Sequence, residues 1–268
     1  MTVRQTAEWL GRNGYMLARQ TFTIAKHELA LLSTLLVIAG GGWAFVGLAD
    51  EVSEGETLRF DRALILAFRN PADPSDPLGP QWFEEAMRDL TALGSVVVLT
   101  LVTLLVIGFF LIARRPRTAL LIAASVGGAT LLSFGLKAGF ERARPDLVPH
   151  GAEVYTASFP SAHAMMSASV YLTLGALLAR MQLAFRLRLY FLIGSVLVAV
   201  LIGVSRIYLG VHWPSDVLAG WAVGSAWAML VWLTALLLQR FGKIASSSAG
   251  DRETPEKRSV SSDGVRER

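Results

Sequence analysis

Six long apolar runs limit what this chain can fold into more than any other feature. They cover about residues 29–48, 93–113, 118–137, 160–180, 189–210 and 215–238. A helix of about 20 residues crosses a hydrocarbon core of roughly 30 Å, and each run has about that length. Ser167, Ser169 and Thr173 make the fourth run less apolar, but their hydroxyls can bond to a preceding turn or a neighbouring helix. The runs therefore predict an all-α, integral membrane six-helix bundle.

Basic residues are concentrated in alternate connections between these runs. Of the 25 Lys and Arg residues, 17 lie in four segments, which are 1–28, 114–117, 180–188 and the tail from Arg240 onward. Because basic loops stay in the cytoplasm, both termini are predicted to be cytoplasmic. On the outer side this leaves the connections 49–92, 138–159 and 211–214.

These boundaries divide the chain into three parts. Residues 1–28 are predicted to form a cytoplasmic amphipathic segment, residues 29–240 the six-span domain, and residues 241–268 a disordered cytoplasmic tail. The outer connection 49–92 contains two stretches with helical apolar spacing, LRFDRALILAFR and QWFEEAMRDLTAL, on either side of the Pro-rich turn PADPSDPLGP. We expect two short helices on the outer membrane surface, which act either as a spacer or in admitting substrate.

Composition excludes several classes of protein. The chain has no cysteine, so it has neither a disulfide framework nor a thiolate metal site. The basic residues before the first run are not followed by a small-residue cleavage site, so we expect no signal peptide. The net charge of +4 could suit nucleic acid, but the alternation of charge between connections fits a membrane topology instead. We therefore expect no nucleic-acid partner.

Three polar clusters lie at the predicted outer ends of the spans. They read KAGFERARP at 137–145, FPSAH at 159–163 and SRIYLGVHWPSD at 205–216. Ionisable residues near a membrane are costly and are functional candidates for that reason. Pro160 and Pro214 are each predicted to be the first residue of a helix, a position that proline favours.

The clusters together predict a site for a phosphate group. Lys137, Arg144 and Arg206 supply three cations, and the amides of Ser161 and Ala162 would point outward at a helix start. These groups match an anion with a charge of about −2. The same cations would repel a metal ion, so no metal and no other cofactor is expected.

The histidines of these clusters supply the reactive groups. His212 lies four residues before Asp216, which falls in the first turn of the sixth span, where the helix dipole favours an ionised carboxylate. The carboxylate can keep one imidazole nitrogen protonated and leave the other free to attack. His163 can then protonate the departing alkoxide.

Other charged side chains share the outer loop with Arg144. Glu141, Arg142 and Asp146 could contact a substrate, but pairing among themselves is the expected arrangement. His150 lies outside the three clusters and is expected to be a solvated loop residue.

The three clusters resemble the signatures of the type 2 phosphatidic acid phosphatase superfamily, to which the vanadium haloperoxidases also belong. The family signatures are KxxxxxxRP, PSGH and SRxxxxxHxxxD; here they read KAGFERARP, PSAH and SRIYLGVHWPSD. The resemblance implies that His212 forms a phosphohistidine, that Asp216 orients it and that His163 is the general acid. It also implies four phosphate-binding residues, which are Lys137, Arg144, Ser161 and Arg206.

One position departs from the family pattern, because Ala162 replaces a glycine. Alanine keeps the amide donor, but a required positive φ would cost it about 1 kcal/mol. The implied function is hydrolysis of a lipid phosphate in the bilayer, at the extracytoplasmic face of a bacterial inner membrane. By resemblance, the candidate substrates are undecaprenyl diphosphate, phosphatidylglycerol phosphate, phosphatidic acid and a lipid A phosphate.

Two other functions stay open on the sequence alone. A lipid phosphotransferase would use the same phosphohistidine, and a non-catalytic relative would only bind the lipid phosphate. A haloperoxidase is disfavoured, because those relatives are soluble and this chain has six apolar spans. Association into a homodimer is also left open.

Overall fold

The computed structural model describes residues 3–148 and 156–250, with side chains described for 28–29, 31–148 and 156–238. Within these residues it has eight helices: α1 (Val3–Glu54), α2 (Leu58–Leu66), α3 (Gln81–Ala92), α4 (Val96–Ile112), α5 (Pro116–Gly139), α6 (Ala162–Met181), α7 (Phe185–Tyr208) and α8 (Pro214–Gly250). One antiparallel hairpin, β1 (Arg69–Asn70) and β2 (Asp73–Pro77), lies between α2 and α3. His150, which was expected to be solvated, falls outside the described residues.

The predicted membrane bundle is confirmed, with one span in two pieces. Among the described residues, five helical segments are long and apolar enough to cross a membrane: Leu31–Glu54, Pro116–Gly139, Ala162–Met181, Phe185–Tyr208 and Pro214–Leu238. A sixth span results when α3 and α4, which meet at an angle of 50°, are taken together. The break falls at Gly94 and Ser95, where the Ser95 hydroxyl accepts a hydrogen bond from Val98 N and caps α4.

Two of the helices extend beyond the predicted limits of their spans. α1 runs from Val3 to Glu54 without interruption, so residues 3–28 join the first span in one helix. α8 continues past residue 240 as far as Gly250, where the composition predicts disorder. Residues 251–268 lie outside the described chain, so the predicted disordered tail and the cytoplasmic position of both termini stay predictions.

The polar residues of the fourth apolar run face other helices rather than lipid. α6 is the most deeply buried of the five spans, and its Ser167, Ser169 and Thr173 are all buried. Ser125 of α5 has its Oγ 2.9 Å from Thr173 Oγ1 and 3.5 Å from Ser169 Oγ. Ser169 and Thr173 thus bond across the helix interface, whereas the Ser167 hydroxyl donates to Ala164 O in the preceding turn at 3.1 Å.

Small residues allow α8 to approach α6 closely. A Cβ atom at Gly220 would lie 2.7 Å from Ser161 O, and one at Gly224 would lie 2.3 Å from Met165 O. Only glycine fits such a backbone approach, which is typical of helix pairs in membranes. The contact places the start of α6 beside the start of α8, where Ser161 N donates to Asp216 O at 3.0 Å.

The segment 49–92, which is predicted to lie on the outer side, packs on the bundle. Its two predicted helices are α2 and α3, and the Pro-rich turn between them is the β1–β2 hairpin, in which Arg69 pairs with Pro77. Ile65 of α2 is buried with residues of α7 and α8, and Met87 of α3 is buried with the end of α7. These contacts bring α2 and α3 to the same end of the bundle as the three polar clusters, while Phe60 of α2 and Trp82 of α3 stay exposed.

Candidate active site

A tight, buried turn between α7 and α8 holds His212. Gly210 has a φ of 69°, which glycine adopts without strain, and a Cβ there would lie 2.3 Å from Val148 Cγ2. The turn is fixed further because Trp213 Nε1 donates to Ala143 O at 3.0 Å. His212 is consequently held in one place, with 2% of its surface exposed.

The predicted pair of His212 and Asp216 comes together at this turn. His212 Nδ1 is 3.4 Å from Asp216 Oδ2. The same oxygen accepts from Trp213 N at 2.9 Å and from the Ser158 hydroxyl at 2.5 Å. Asp216 is fully buried in the first turn of α8, so its carboxylate is both fixed and close to the imidazole.

The hydrogen bonds of His212 define its tautomer. Arg144 Nη1 lies 3.2 Å from His212 Nε2, and a guanidinium can only donate. Nε2 is therefore the acceptor, and the proton of the neutral ring sits on Nδ1, facing Asp216. Burial lowers the pKa of His212 to about 4, with Arg206 and Arg144 acting in the same direction and Asp216 opposing them. The contact with Asp216 is thus made by a neutral imidazole near pH 7.

Two of the predicted phosphate ligands meet at Thr156. Lys137 Nζ donates to Ala157 O at 2.5 Å and to Thr156 Oγ1 at 3.3 Å. Arg144 donates from Nε to Thr156 O at 2.9 Å and from Nη2 to Thr156 Oγ1 at 3.2 Å. These acceptors are neutral oxygens, so the contacts leave both cationic charges uncancelled. Burial also lowers the pKa of Arg144.

The third predicted phosphate ligand, Arg206, is in the last turn of α7. It is buried, with 3% of its surface exposed. Its Nη1 donates to Thr91 Oγ1 of α3 at 3.0 Å, and its Nε has no hydrogen-bond partner among the described residues. A buried guanidinium with an unused donor is costly and suits an anion that completes its bonding.

His163 lies in the first turn of α6 and faces the same region. A Cβ at Gly94, in the α3–α4 break, would lie 3.2 Å from His163 Cδ2, so this break packs against the ring. Four charged or titratable side chains are close enough to act electrostatically on His163: Arg206, His212, Arg144 and Lys137. Residues from α5, α6, α7 and the two connections 138–159 and 211–214 therefore converge on one site.

The start of α6 differs from its prediction. Ser161 is the N-cap and α6 begins at Ala162, so Pro160 lies before the helix, whereas Pro214 does begin α8. The Ser161 amide is not free, because it donates to Asp216 O at 3.0 Å, and the Ser161 hydroxyl accepts from Ala164 N at 3.5 Å.

Ala162 needs no unusual backbone conformation. It is the first helical residue of α6, and Arg114 is the only non-glycine residue with a positive φ in the part of the chain that is described. Alanine therefore replaces the family glycine without backbone strain. Its amide keeps the orientation of a helix start.

The sequence interpretation missed three residues that surround Asp216. Arg142 does not pair with Glu141 or Asp146, so that expectation was wrong; its partners are Asp61 of α2 at 2.8 Å and Asp216 of α8 at 2.5 Å. Ser158 is the third, with its hydroxyl on Asp216. Ser158 stands directly before the FPSAH cluster, but no local spacing links Arg142 to carboxylates 81 and 74 positions away.

Comparison with known proteins identifies the family of this chain. The model of the PAP2 superfamily matches residues 118–240. Phosphatidylglycerophosphatase B of Bacillus subtilis is 38% identical over 146 residues, which are 53% of this chain and 70% of that protein. This chain belongs to the PAP2 superfamily.

Two other relatives match shorter parts of the chain, and one solved structure matches most of it. An undecaprenyl-diphosphatase of Sulfolobus acidocaldarius is 38% identical over 82 residues, 31% of this chain and 32% of that one. A lipid A 1-phosphatase of Rhizobium johnstonii is 37% identical over 121 residues, 42% of this chain and 44% of that one. The crystal structure of the transmembrane PAP2 phosphatidylglycerolphosphate phosphatase of Bacillus subtilis superposes with a TM-score of 0.65 at 26% identity, covering 83% of this chain and all of that one.

Membership in the PAP2 superfamily confirms the resemblance that the three clusters carry. The protein is an integral membrane lipid phosphatase, a hydrolase of phosphate esters. All seven predicted site residues lie within the matched segment 118–240, whereas Asp61 and Thr91, which contact the site from α2 and α3, lie outside it.

Proposed function

We propose that this PAP2 phosphatase hydrolyses a lipid phosphate through a phosphohistidine on His212. The observation that carries the proposal is the geometry of the His212 ring, whose Nδ1 lies 3.4 Å from Asp216 Oδ2 and whose Nε2 accepts from Arg144 Nη1 at 3.2 Å. An unprotonated nitrogen among cations is where a phosphate dianion would meet a nucleophile.

The cations hold the phosphate in the proposed first step. Lys137, Arg144 and Arg206 bind its non-bridging oxygens, and Ser161 keeps a hydroxyl proton for the same purpose. Arg144 Nη1 now donates to His212 Nε2 at 3.2 Å; a phosphate oxygen competes for this donor and frees the lone pair of Nε2. Binding the substrate would therefore both position the phosphorus and uncover the nucleophile.

The chemistry then proceeds in two displacements. The bond from His212 Nε2 to phosphorus forms as the bond from phosphorus to the lipid oxygen breaks, and His163 gives its proton to the departing alkoxide. The phosphoimidazole is stabilised by Asp216, which accepts from Nδ1. His163, now neutral, takes a proton from water, which attacks phosphorus, releases inorganic phosphate and restores both histidines.

The names of the relatives support a class of substrate. Their names include a phosphatidylglycerophosphatase, an undecaprenyl-diphosphatase and lipid A 1-phosphatases. We place phosphatidylglycerol phosphate first, because the similarity to that enzyme extends over 146 residues and the related crystal structure is covered completely. The other candidate substrates are undecaprenyl diphosphate, phosphatidic acid and a lipid A phosphate.

The distribution of charge supports one side of the membrane for the active site. The clusters lie at the ends of the spans away from the basic connections, which supports an active site at the extracytoplasmic face of an inner membrane and cytoplasmic termini. Membrane-impermeant labelling of a single cysteine introduced at exposed Ser75 of the hairpin tests this placement. We expect labelling in intact cells. Labelling only after lysis would place the hairpin on the cytoplasmic side and contradict the proposed orientation.

Phosphate release by purified protein tests the function itself. The wild type is incubated with the four lipid phosphates in detergent micelles, with and without an alcohol acceptor, beside His212→Ala. We expect release from at least one lipid and none from His212→Ala, which should retain the thermal unfolding of the wild type. If His212→Ala still releases phosphate, His212 is not the nucleophile. Transfer to the alcohol with no release would make the protein a phosphotransferase. If the wild type shows neither release nor transfer, the protein would only bind the lipid phosphate.

A further inference from the structure

Asp61 is a buried acid that the proposed chemistry does not use. It lies on α2, outside the segment matched by the family model, and has no exposed surface. Its Oδ1 accepts from Ser215 N at 2.8 Å, and its Oδ2 accepts from Ser215 Oγ at 2.6 Å. A side chain of α2 therefore caps the first turn of α8, which carries Asp216.

Arg142 connects this acid to Asp216. Its Nη2 donates to Asp61 Oδ2 at 2.8 Å, and its Nη1 donates to Asp216 Oδ1 at 2.5 Å. Nη1 also donates to Ser215 Oγ at 2.8 Å. The planar guanidinium of Arg142 lies 5.6 Å from the centre of the Trp213 ring. Its position is therefore fixed by the two carboxylates and by this ring. A lysine could not reach both carboxylates at once in this way.

The charges along this connection alternate. Asp61, Arg142 and Asp216 carry a net charge of −1, with the positive charge shared between two carboxylates. Without Asp61, Arg142 would pair with Asp216 alone and cancel the charge that faces His212. The other oxygen of Asp216, Oδ2, holds the imidazole contact. The charge of Asp61 therefore keeps Asp216 negative toward the ring.

We propose that Asp61 is a positioning residue for catalysis, which acts through Arg142 to hold Asp216 and to preserve its negative charge toward His212. The inference rests on the proposed function, because it needs a positive phosphoimidazole that Asp216 stabilises. Asp61 faces none of the predicted phosphate ligands directly. Its loss should therefore slow turnover and leave substrate binding nearly unchanged.

The test is a double-mutant cycle on the full-length protein in the phosphate-release assay. Asp61→Asn keeps the size and the acceptor for Ser215 N but removes the charge. We expect kcat to fall about 10- to 100-fold, as for loss of a buried charged hydrogen bond, with KM changed less than about threefold. Adding Arg142→Gln removes the unbalanced cation, so the double variant should be more active than Asp61→Asn alone.

A purely structural role predicts a different pattern. Effects on kcat that simply add in the double variant, or a kcat of wild-type size in folded Asp61→Asn, would overturn the inference. Asp89→Asn, at an exposed acid of neighbouring α3, is the matched control and should keep the wild-type kcat. If wild type and control release no phosphate, the proposed function fails rather than this inference.

A second variant covers the case in which Asp61→Asn does not fold. Arg142→Lys keeps the positive charge but cannot bridge Asp61 and Asp216. A kcat reduced about tenfold or more at an unchanged KM would support the positioning role. Wild-type kcat in folded Arg142→Lys would exclude it, because the bridge would then be unnecessary.

Discussion

Gly224 offers the sharpest test of how the fold supports the site. A Cβ at this position on α8 would lie 2.3 Å from Met165 O and 3.0 Å from Ala168 Cβ of α6. A carbon and a carbonyl oxygen need about 3.3 Å or more, so Gly224→Ala must separate the two helices locally by about 1 Å. Met165 follows His163 by two positions, and the displacement therefore reaches the predicted general acid.

The magnitude follows from two opposing effects. Overpacking a close interface costs about 1–3 kcal/mol, and a backbone carbonyl cannot rotate away as a side chain can. Alanine recovers up to about 1 kcal/mol of helix propensity. The net loss should be about 1–2 kcal/mol, which lowers Tm by roughly 2–8 °C in a domain of this size. A displacement of about 1 Å at the reacting groups should lower kcat about 100-fold.

Gly127→Ala is the matched control for this prediction. Gly127 is also within a spanning helix, but a Cβ there would meet nothing within 4 Å. Thermal unfolding in detergent and phosphate release are measured for both variants. Gly127→Ala should match or slightly exceed the wild-type Tm. Equal Tm and equal kcat for the two variants would refute the claim that the α6–α8 contact needs glycine.

Three further predictions concern the site itself. Because burial lowers the pKa of His212 to about 4 and protonation removes the attacking lone pair, kcat/KM should fall as the pH drops through about 4; an acid limb near the ordinary value of 6.5 would contradict this. Ser158→Ala removes the 2.5 Å bond to Asp216 and should lower kcat in the phosphate-release assay roughly 10- to 100-fold, whereas an unchanged kcat would make that bond dispensable. Since side-chain cations rather than a metal are proposed to hold the phosphate, release should survive EDTA and stop with vanadate, which mimics pentacoordinate phosphorus; a strict requirement for a divalent ion would contradict the proposal.

Local spacing explains why much of the site could be predicted from sequence. His212 and Asp216 are four residues apart across Pro214, which begins α8, so the turn itself brings imidazole and carboxylate together. Alternation of apolar runs and basic connections then puts all three clusters at one end of the bundle. The same periodicity identified α2 and α3, because each has one apolar face.

Pairing over long distances explains what the sequence could not reveal. Asp61 is one of many acids in the 49–92 connection, and nothing near it in the chain distinguishes it from the exposed Asp89. Its partner Arg142 is 81 positions away, and only the docking of α2 on α8 brings them together. The error at Pro160 has a local cause, since Ser161 competes as N-cap and the helix begins at Ala162, two residues later than predicted.

Exchange of oxygen between phosphate and water tests the central claim most directly, because it needs no knowledge of the lipid. Inorganic phosphate labelled with heavy oxygen is incubated with purified protein in ordinary water, and the loss of label is followed by mass spectrometry. If His212 forms a phosphohistidine that water hydrolyses, reversal of that step replaces the label with solvent oxygen. We expect stepwise loss of label with the wild type and none with His212→Ala. Loss that is equal in His212→Ala, or no loss with a wild type that does hydrolyse a lipid phosphate, would contradict the mechanism.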